Sequence, residues 1–213
     1  LNQIAARLEA KKVIDDASAF MTYCETRAKQ ELQDEFPFLA DYPVSRIEGY
    51  VFPSTYLFEP NMSYQQVVKM MVEAFERVIL PIWETAPVAN GTPKKRFNFH
   101  QVLTLASIIE KEARVAAEMP KIASVFYNRL KKMQPLGADP TVVYAMDLDR
   151  KDTVYYKDVK VDSPYNTYKY SGFPPTPIAS PGKKAFEAAV RPLTTPYFFF
   201  VAARDGTHIF TRT

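Results

Sequence analysis

Apolar positions Ile4 and Leu8, then Phe20, Tyr23 and Cys24, recur at helical spacing in the first 29 or so residues, interrupted by Val13-Ile14 and the polar pair Asp15-Asp16. This predicts two short helices with a turn between them. Residues 47–58, IEGYVFPSTYLF, change to aromatic and β-branched residues punctuated by Gly49 and Pro53, which predicts two short strands around a turn. Ser63 then stands three residues before Gln66, a capping-box pattern. Tyr64, Val67, Val68, Met71, Phe75, Val78 and Ile79 continue it as one apolar stripe, so a helix is expected to end near Pro81. Residues 84–98 read as an exposed connection whose KKR run is solvated.

Two further helices are predicted, over about 100–117 and about 120–133, the second opened by Pro120 and burying Ile122, Val125, Phe126, Leu130 and Met133. Residues 153–182, rich in Tyr, Asn, Ser and Pro, form a long structured loop, a kind of segment that often carries function. Ser180-Pro181 supplies an N-cap and first-turn proline for a helix over 183–190. The run 197–203, the turn Asp205-Gly206 and residues 207–213 read as a β-hairpin. The fold class is α+β, mainly helical with small β elements.

One carboxylate breaks the helical pattern. With Leu105 at zero in VLTLASIIEKEARVAA (102–117), Val102 lies at about +60°, Ile109 about +40°, Ala116 about +20° and Ile108 about −60°. Glu112 falls at about −20°, inside the apolar face, while Glu110 (about 140°), Lys111 (about −120°) and Arg114 (about 180°) face water. A carboxylate there must be paired, hydrogen-bonded, protonated, or lining a cleft. A buried Arg129 or Arg46 would make it structural. Apolar walls that raise its pKa to about 6 would instead make it a general acid.

Length and composition narrow the chemistry. The 213 residues suit one compact domain or a domain with a small appendage, and 47% hydrophobic content excludes a disordered chain. Lys plus Arg, 27, against Asp plus Glu, 24, leaves +3, too little to point to nucleic acid. Cys24 is the sole cysteine and His100 and His208 are the two histidines, so neither an intrachain disulfide nor a metal site is expected, and no cofactor is implied. His208, beyond the hairpin turn, reads as a strand surface residue. No run of about 18 apolar residues occurs. The chain opens at Leu1 without a signal pattern, from which a targeting segment outside it is expected. Phosphate-loop, G-x-S-x-G and H-E-x-x-H motifs are lacking.

Three other places carry candidate chemistry. Asp139 and Thr141 flank Pro140 ahead of an apolar run, where Asp139 fits a helix N-cap. Tyr165, Asn166, Tyr168 and Tyr170 place aromatic rings beside an amide, a combination that suits sugar faces and their acetamido groups and equally suits a loop packed on itself. Glu48 is either a second cleft carboxylate or an exposed strand residue.

EGYVFPSTY, LASIIEKEA, IASVFYNRL, DPTVVYAM, SPYNTYKYSGFPPTPIASPGKKA and PYFFFVAARDGTHIF stand in the order found in the YceG-like family of MltG-type endolytic murein transglycosylases, which residues 45–213 therefore resemble. The resemblance implies a partial LysM-like subdomain with linking helices over 1–45 and a YceG-like catalytic domain over 46–213. It implies cleavage of the β-1,4 bond between N-acetylmuramic acid and N-acetylglucosamine in peptidoglycan glycan strands, leaving 1,6-anhydromuramic ends. The catalytic acid belongs to Glu110-Lys111-Glu112 and is placed on Glu112, with Glu110 as the fallback. Glu48, Asp139, Thr141, Tyr144, Asn166 and Tyr168 are assigned to substrate binding. The resemblance further implies a periplasmic or extracytoplasmic domain, a single-pass inner-membrane anchor outside this chain, and wall-synthesis proteins as partners. Alternatives are a glycan-binding scaffold with a structural Glu112, and hydrolysis by two carboxylates with Glu48 or Asp139 opposite Glu112. The sequence departs from the family at Gly137-Ala138, where Gln and Ser or Thr are common, which excludes a side-chain role at 137, and at GFPPTPI in place of GLPPGPI.

Overall fold

The computed structural model describes residues 1–40, 44–89, 91–148 and 153–213. Three helices come first: α1 (Asn2–Ala10), α2 (Ala17–Thr26) and α3 (Ala28–Leu32). Asp16 opens α2 by accepting the Ser18 and Ala19 N–H groups at 2.7 and 2.9 Å. Ala5, Leu8, Phe20, Cys24 and Leu32 join one hydrophobic cluster with the rest of the chain.

α4 (Tyr64–Glu84) begins at the expected Ser63–Gln66 capping box and continues past Pro81. A proline in a helix removes one donor and crowds the carbonyl four residues back. Pro81 and Arg77 both lie on the solvent side, where water can take up the freed carbonyl, so the helix survives. Its end is closed by Lys94, whose Nζ donates to the Trp83 and Glu84 carbonyls at 2.6 and 2.9 Å. The KKR run is therefore partly a cap, carried on the single turn α5 (Pro93–Arg96).

The expected strands in 47–58 are absent. Ile47, Tyr50 and Val51 are buried, but the backbone turns instead of pairing: the Ile47 N–H donates to the Cys24 carbonyl and the Phe52 N–H to that of Met71. Gly49 takes φ +92°, and a Cβ there would stand 2.5 Å from Pro177. The aromatic residues serve burial rather than a ladder, with Tyr50 against Phe75 at 5.3 Å and near-parallel to His100.

α6 (Phe99–Glu112) is the axis of the fold. Asn98 and Gln101 form its capping box, and eight consecutive residues, Val102 to Ile109, are buried. It is wrapped by α7 (Met119–Lys131), α8 (Asp139–Ala145) and α9 (Lys183–Val190). The wheel's water-facing side therefore exists only in the last turn. The buried hydroxyls of α6 stay satisfied: Thr104 donates to the His100 carbonyl, and Ser107 donates to the Thr104 carbonyl and accepts from the Ile178 N–H at 3.0 Å.

The helix stops at Glu112, five residues before the predicted end, as Ala113 turns extended at φ −76°, ψ 119°. No Gly or Pro occurs before Pro120 to stop it. A 3-10 turn, Ala116–Glu118, follows and is held by the terminal hairpin, so tertiary contact overrides local propensity here. The hairpin pairs β1 (Phe199–Ala202) with β2 (His208–Thr211) antiparallel, Phe200 opposite Phe210, as the sequence predicts. α9 is N-capped by Gly182 rather than Ser180, and the Ser180 Oγ is buried without a partner among the described residues.

Candidate active site

A cleft of about 760 Å³ opens at the end of α6, bordered by Glu110, Glu112, Glu48, Asp139, Tyr144 and His208. Helix period and helix termination together aim Glu112 into it. Burial is the main cause that pushes its carboxyl pKa up to about 8, and the Asp139 charge adds to this. Arg129 and the Asp139 backbone N–H oppose the rise and do not cancel it. As the last residue of α6, Glu112 also meets the negative end of the helix dipole. Among the described residues, none forms an ion pair with Glu112, so the structural pairing to Arg129 or Arg46 is not made.

Glu110 has a different role in the same turn. Its Oε2 accepts the Gly182 N–H at 3.1 Å, fastening the start of α9 to α6. One glutamate of Glu110-Lys111-Glu112 is a tether and the other is an unpaired acid.

Asp139 is the first residue of α8 rather than its N-cap, which is Ala138. Its carboxylate accepts the Tyr168 hydroxyl at 2.5 Å; burial, with this bond adding to it, pushes that phenol up. Gly137 makes this approach possible. It has φ +56°, and a Cβ would lie 3.3 Å from the Arg129 guanidinium and 3.5 Å from the Tyr168 ring. Arg129 is fixed by donating to the Phe198 carbonyl at 2.7 Å and to the Leu136 carbonyl.

Glu48 is buried, not an exposed strand residue. Its Oε2 accepts the Tyr144 hydroxyl at 2.7 Å, and Arg46 Nε lies 3.7 Å away. Arg46 also donates to Tyr144 and Glu25, and the Tyr144 ring meets Tyr165 at 4.8 Å.

The full chain, residues 1–213, matches the model of the YceG-like family. It is 40% identical over its whole length to an endolytic murein transglycosylase of Bacillus subtilis, of which it spans 59%. The Streptococcus pneumoniae enzyme of the same name is 32% identical over 74% of the chain, which spans 28% of that protein. A crystal structure of a yceG-like protein from Listeria monocytogenes superposes with a TM-score of 0.86 at 36% identity, over 100% of this chain and 70% of that one. The chain belongs to the YceG-like family.

Not every residue given a binding role reaches the cleft of this YceG-like chain. Asn166 is fully buried; its Nδ2 donates to the Val159 and Val161 carbonyls at 2.9 and 2.8 Å, and its Oδ1 accepts the Tyr168 N–H. Thr141 is also fully buried, bonded to Ala138 and Thr167. Both shape the wall from behind. Arg129, named from the sequence as a possible ion partner of Glu112, does stand near the acid but makes no ion pair with it among the described residues. One further residue was misread. His208 is not a strand surface residue: its side chain is 7% exposed and pairs with Glu118 at 2.8 Å.

Proposed function

We propose that this chain is the catalytic region of a peptidoglycan lytic transglycosylase that cuts within glycan strands between N-acetylmuramic acid and N-acetylglucosamine. The observation that carries the reading is the unpaired, desolvated Glu112 in a cleft of oligosaccharide size. The names of the relatives at 40% and 32% identity support it.

A carboxyl held protonated near neutral pH can donate to the glycosidic oxygen as the C1–O bond breaks. The resulting carboxylate then takes the proton of the muramic C6 hydroxyl while that oxygen bonds to C1. Glu112 ends as it began, no water is consumed, and the new end is a 1,6-anhydro sugar. The substrate's own acetamido group supports the positive charge at C1. Asp139, held by Tyr168, and Tyr144, held by Arg46 and Glu48, are the side chains offered to position the sugar. The reaction belongs to the extracytoplasmic compartment where peptidoglycan lies, with the domain held at the inner membrane by a single-pass anchor and wall-synthesis proteins as neighbours.

The test is mass spectrometry of purified, uncross-linked glycan strands incubated with this chain and with Glu112→Gln. Anhydro-ended fragments from the first and none from the second are expected. Asp139 beside Glu112 favours hydrolysis as a second reading, and products heavier by one water would establish it instead. Cleavage surviving Glu112→Gln but lost in Glu110→Gln would transfer the acid's role to Glu110. A folded chain that binds strands without cutting them would be a binding module.

A further inference from the structure

His208 opens β2 at the edge of the cleft, and it is anchored more fully than a strand residue needs to be. Its Nδ1 lies 2.8 Å from Glu118 Oε2, and its own backbone N–H donates to Glu118 Oε1 at 3.0 Å. Both oxygens of one carboxylate are thus spent on one residue. The ring meets Phe200 edge-on at 5.2 Å and Phe210 at 6.2 Å. The carboxylate and the two rings together hold the imidazole in one orientation.

A carboxylate at Nδ1 fixes the proton there, which leaves Nε2 as an acceptor in the neutral ring and a donor in the cation. Among the described residues Nε2 has no hydrogen-bond partner, and it is not sealed from solvent. A residue serving only to fasten the hairpin would not need a free, oriented nitrogen on a residue that lines the same cleft as the proposed acid. Glu118 ends the 3-10 turn that follows α6, so the imidazole's partner sits on the segment directly after the helix that carries Glu112.

The geometry points to His208 Nε2 as a hydrogen-bonding contact for a hydroxyl or amide group of the glycan in the cleft, with Glu118 as the residue that orients the ring. This rests on the proposed function, since it takes the cleft's ligand to be a glycan strand. His208 touches substrate, and Glu118 acts through it.

The decisive measurement is the ¹⁵N shift of His208 Nε2 in full-length Glu112→Gln protein, titrated with purified uncross-linked glycan strands, with backbone amides of Ala113 and Asp139 followed in the same samples. A shift of Nε2 that saturates together with those amides is expected. Amides that move while Nε2 stays still would overturn the inference and leave the glycan reading standing. Silence at every cleft position would overturn both. Independently, His208→Phe keeps the ring packing and deletes both nitrogens; with Glu112 intact it should raise KM about tenfold, the weight of one hydrogen bond, with kcat within about twofold. An unchanged KM in a His208→Phe protein whose hairpin amides are unperturbed would refute it. Should that variant fail to fold, the titration still decides.

Discussion

Glu48 and Glu112 border the same cleft, and both are largely withdrawn from water. Glu48 faces donors, with the Tyr144 hydroxyl at 2.7 Å and Arg46 Nε at 3.7 Å. Glu112 faces burial and the Asp139 charge, with Arg129 as a weaker counterweight, and its pKa rises to about 8. Desolvation disfavours a charge in both places. At Glu48 a hydroxyl and a guanidinium face the carboxyl group. At Glu112 the carboxyl keeps its proton. The difference separates a carboxylate that organises a wall from a carboxyl that can give a proton away, and it arises from neighbours rather than from residue type.

The comparison breaks first at Glu112→Gln, which keeps the shape and removes the transferable proton. Loss of cleavage by about 10³-fold is expected, on the scale of general acid catalysis, with the denaturation midpoint unchanged or raised. Comparable residual activity would remove Glu112 from the mechanism. Next comes Asn166→Ala, which leaves the Val159 and Val161 carbonyls without their donor inside the loop. A loss of about 2–3 kcal/mol in urea unfolding is expected, and a stable protein with impaired turnover would return Asn166 to the substrate contacts. Glu48→Gln follows at about 2 kcal/mol, since Arg46 retains Glu25 and is only partly stranded. Activity per folded molecule should fall far less than in Glu112→Gln.

How far these residues could be read in advance depends on where their signal lies. The capping box at Ser63, the stripe of α4 and the hairpin are local, and each stands in the structure at the expected place; the Asn98–Gln101 box is as local but begins inside the segment read as a connection. Glu112 was legible for the same reason, because helix period alone put it on the apolar face. The strands expected at 47–58 failed because aromatic and β-branched residues mark burial, and Gly49 closing on Pro177 spends that burial on a turn. The end of α6 was illegible because the hairpin, some 90 residues on, sets it through Glu118 and His208. Asn166 looked like a sugar contact because an amide beside tyrosines suits both a ligand and a loop's own carbonyls, and only the distances separate them.

The pH dependence of stability sharpens the contrast further. A carboxyl raised from 4.5 to about 8 makes the folded chain hold a proton that the unfolded chain has released, so Glu112 should cost stability as pH climbs through that interval. The slope is at most about 1.4 kcal/mol per pH unit, the value for one proton. Urea midpoints for the parent minus those for Glu112→Gln should fall between pH 5 and 8, roughly. A flat difference would mean that Glu112 ionises in the folded state as freely as in water.

The smallest effect is expected at Tyr168→Phe. The hydroxyl reaches Asp139 at 2.5 Å from a ring that Gly137 allows to come close, and the ring itself stays in the variant. Stability should change by about 1 kcal/mol or less, because Asp139 can turn to water. Turnover should fall more than stability does, by roughly tenfold, as a freed Asp139 no longer holds one orientation beside the acid. The direction of the Glu112 pKa is the finer reading. Asp139 raises it, so an Asp139 that swings toward solvent should let it drop, moving the alkaline limb of the rate profile to lower pH. A Tyr168→Phe protein with parental turnover and an unmoved alkaline limb would confine Tyr168 to packing, and would leave burial alone responsible for the proton on Glu112.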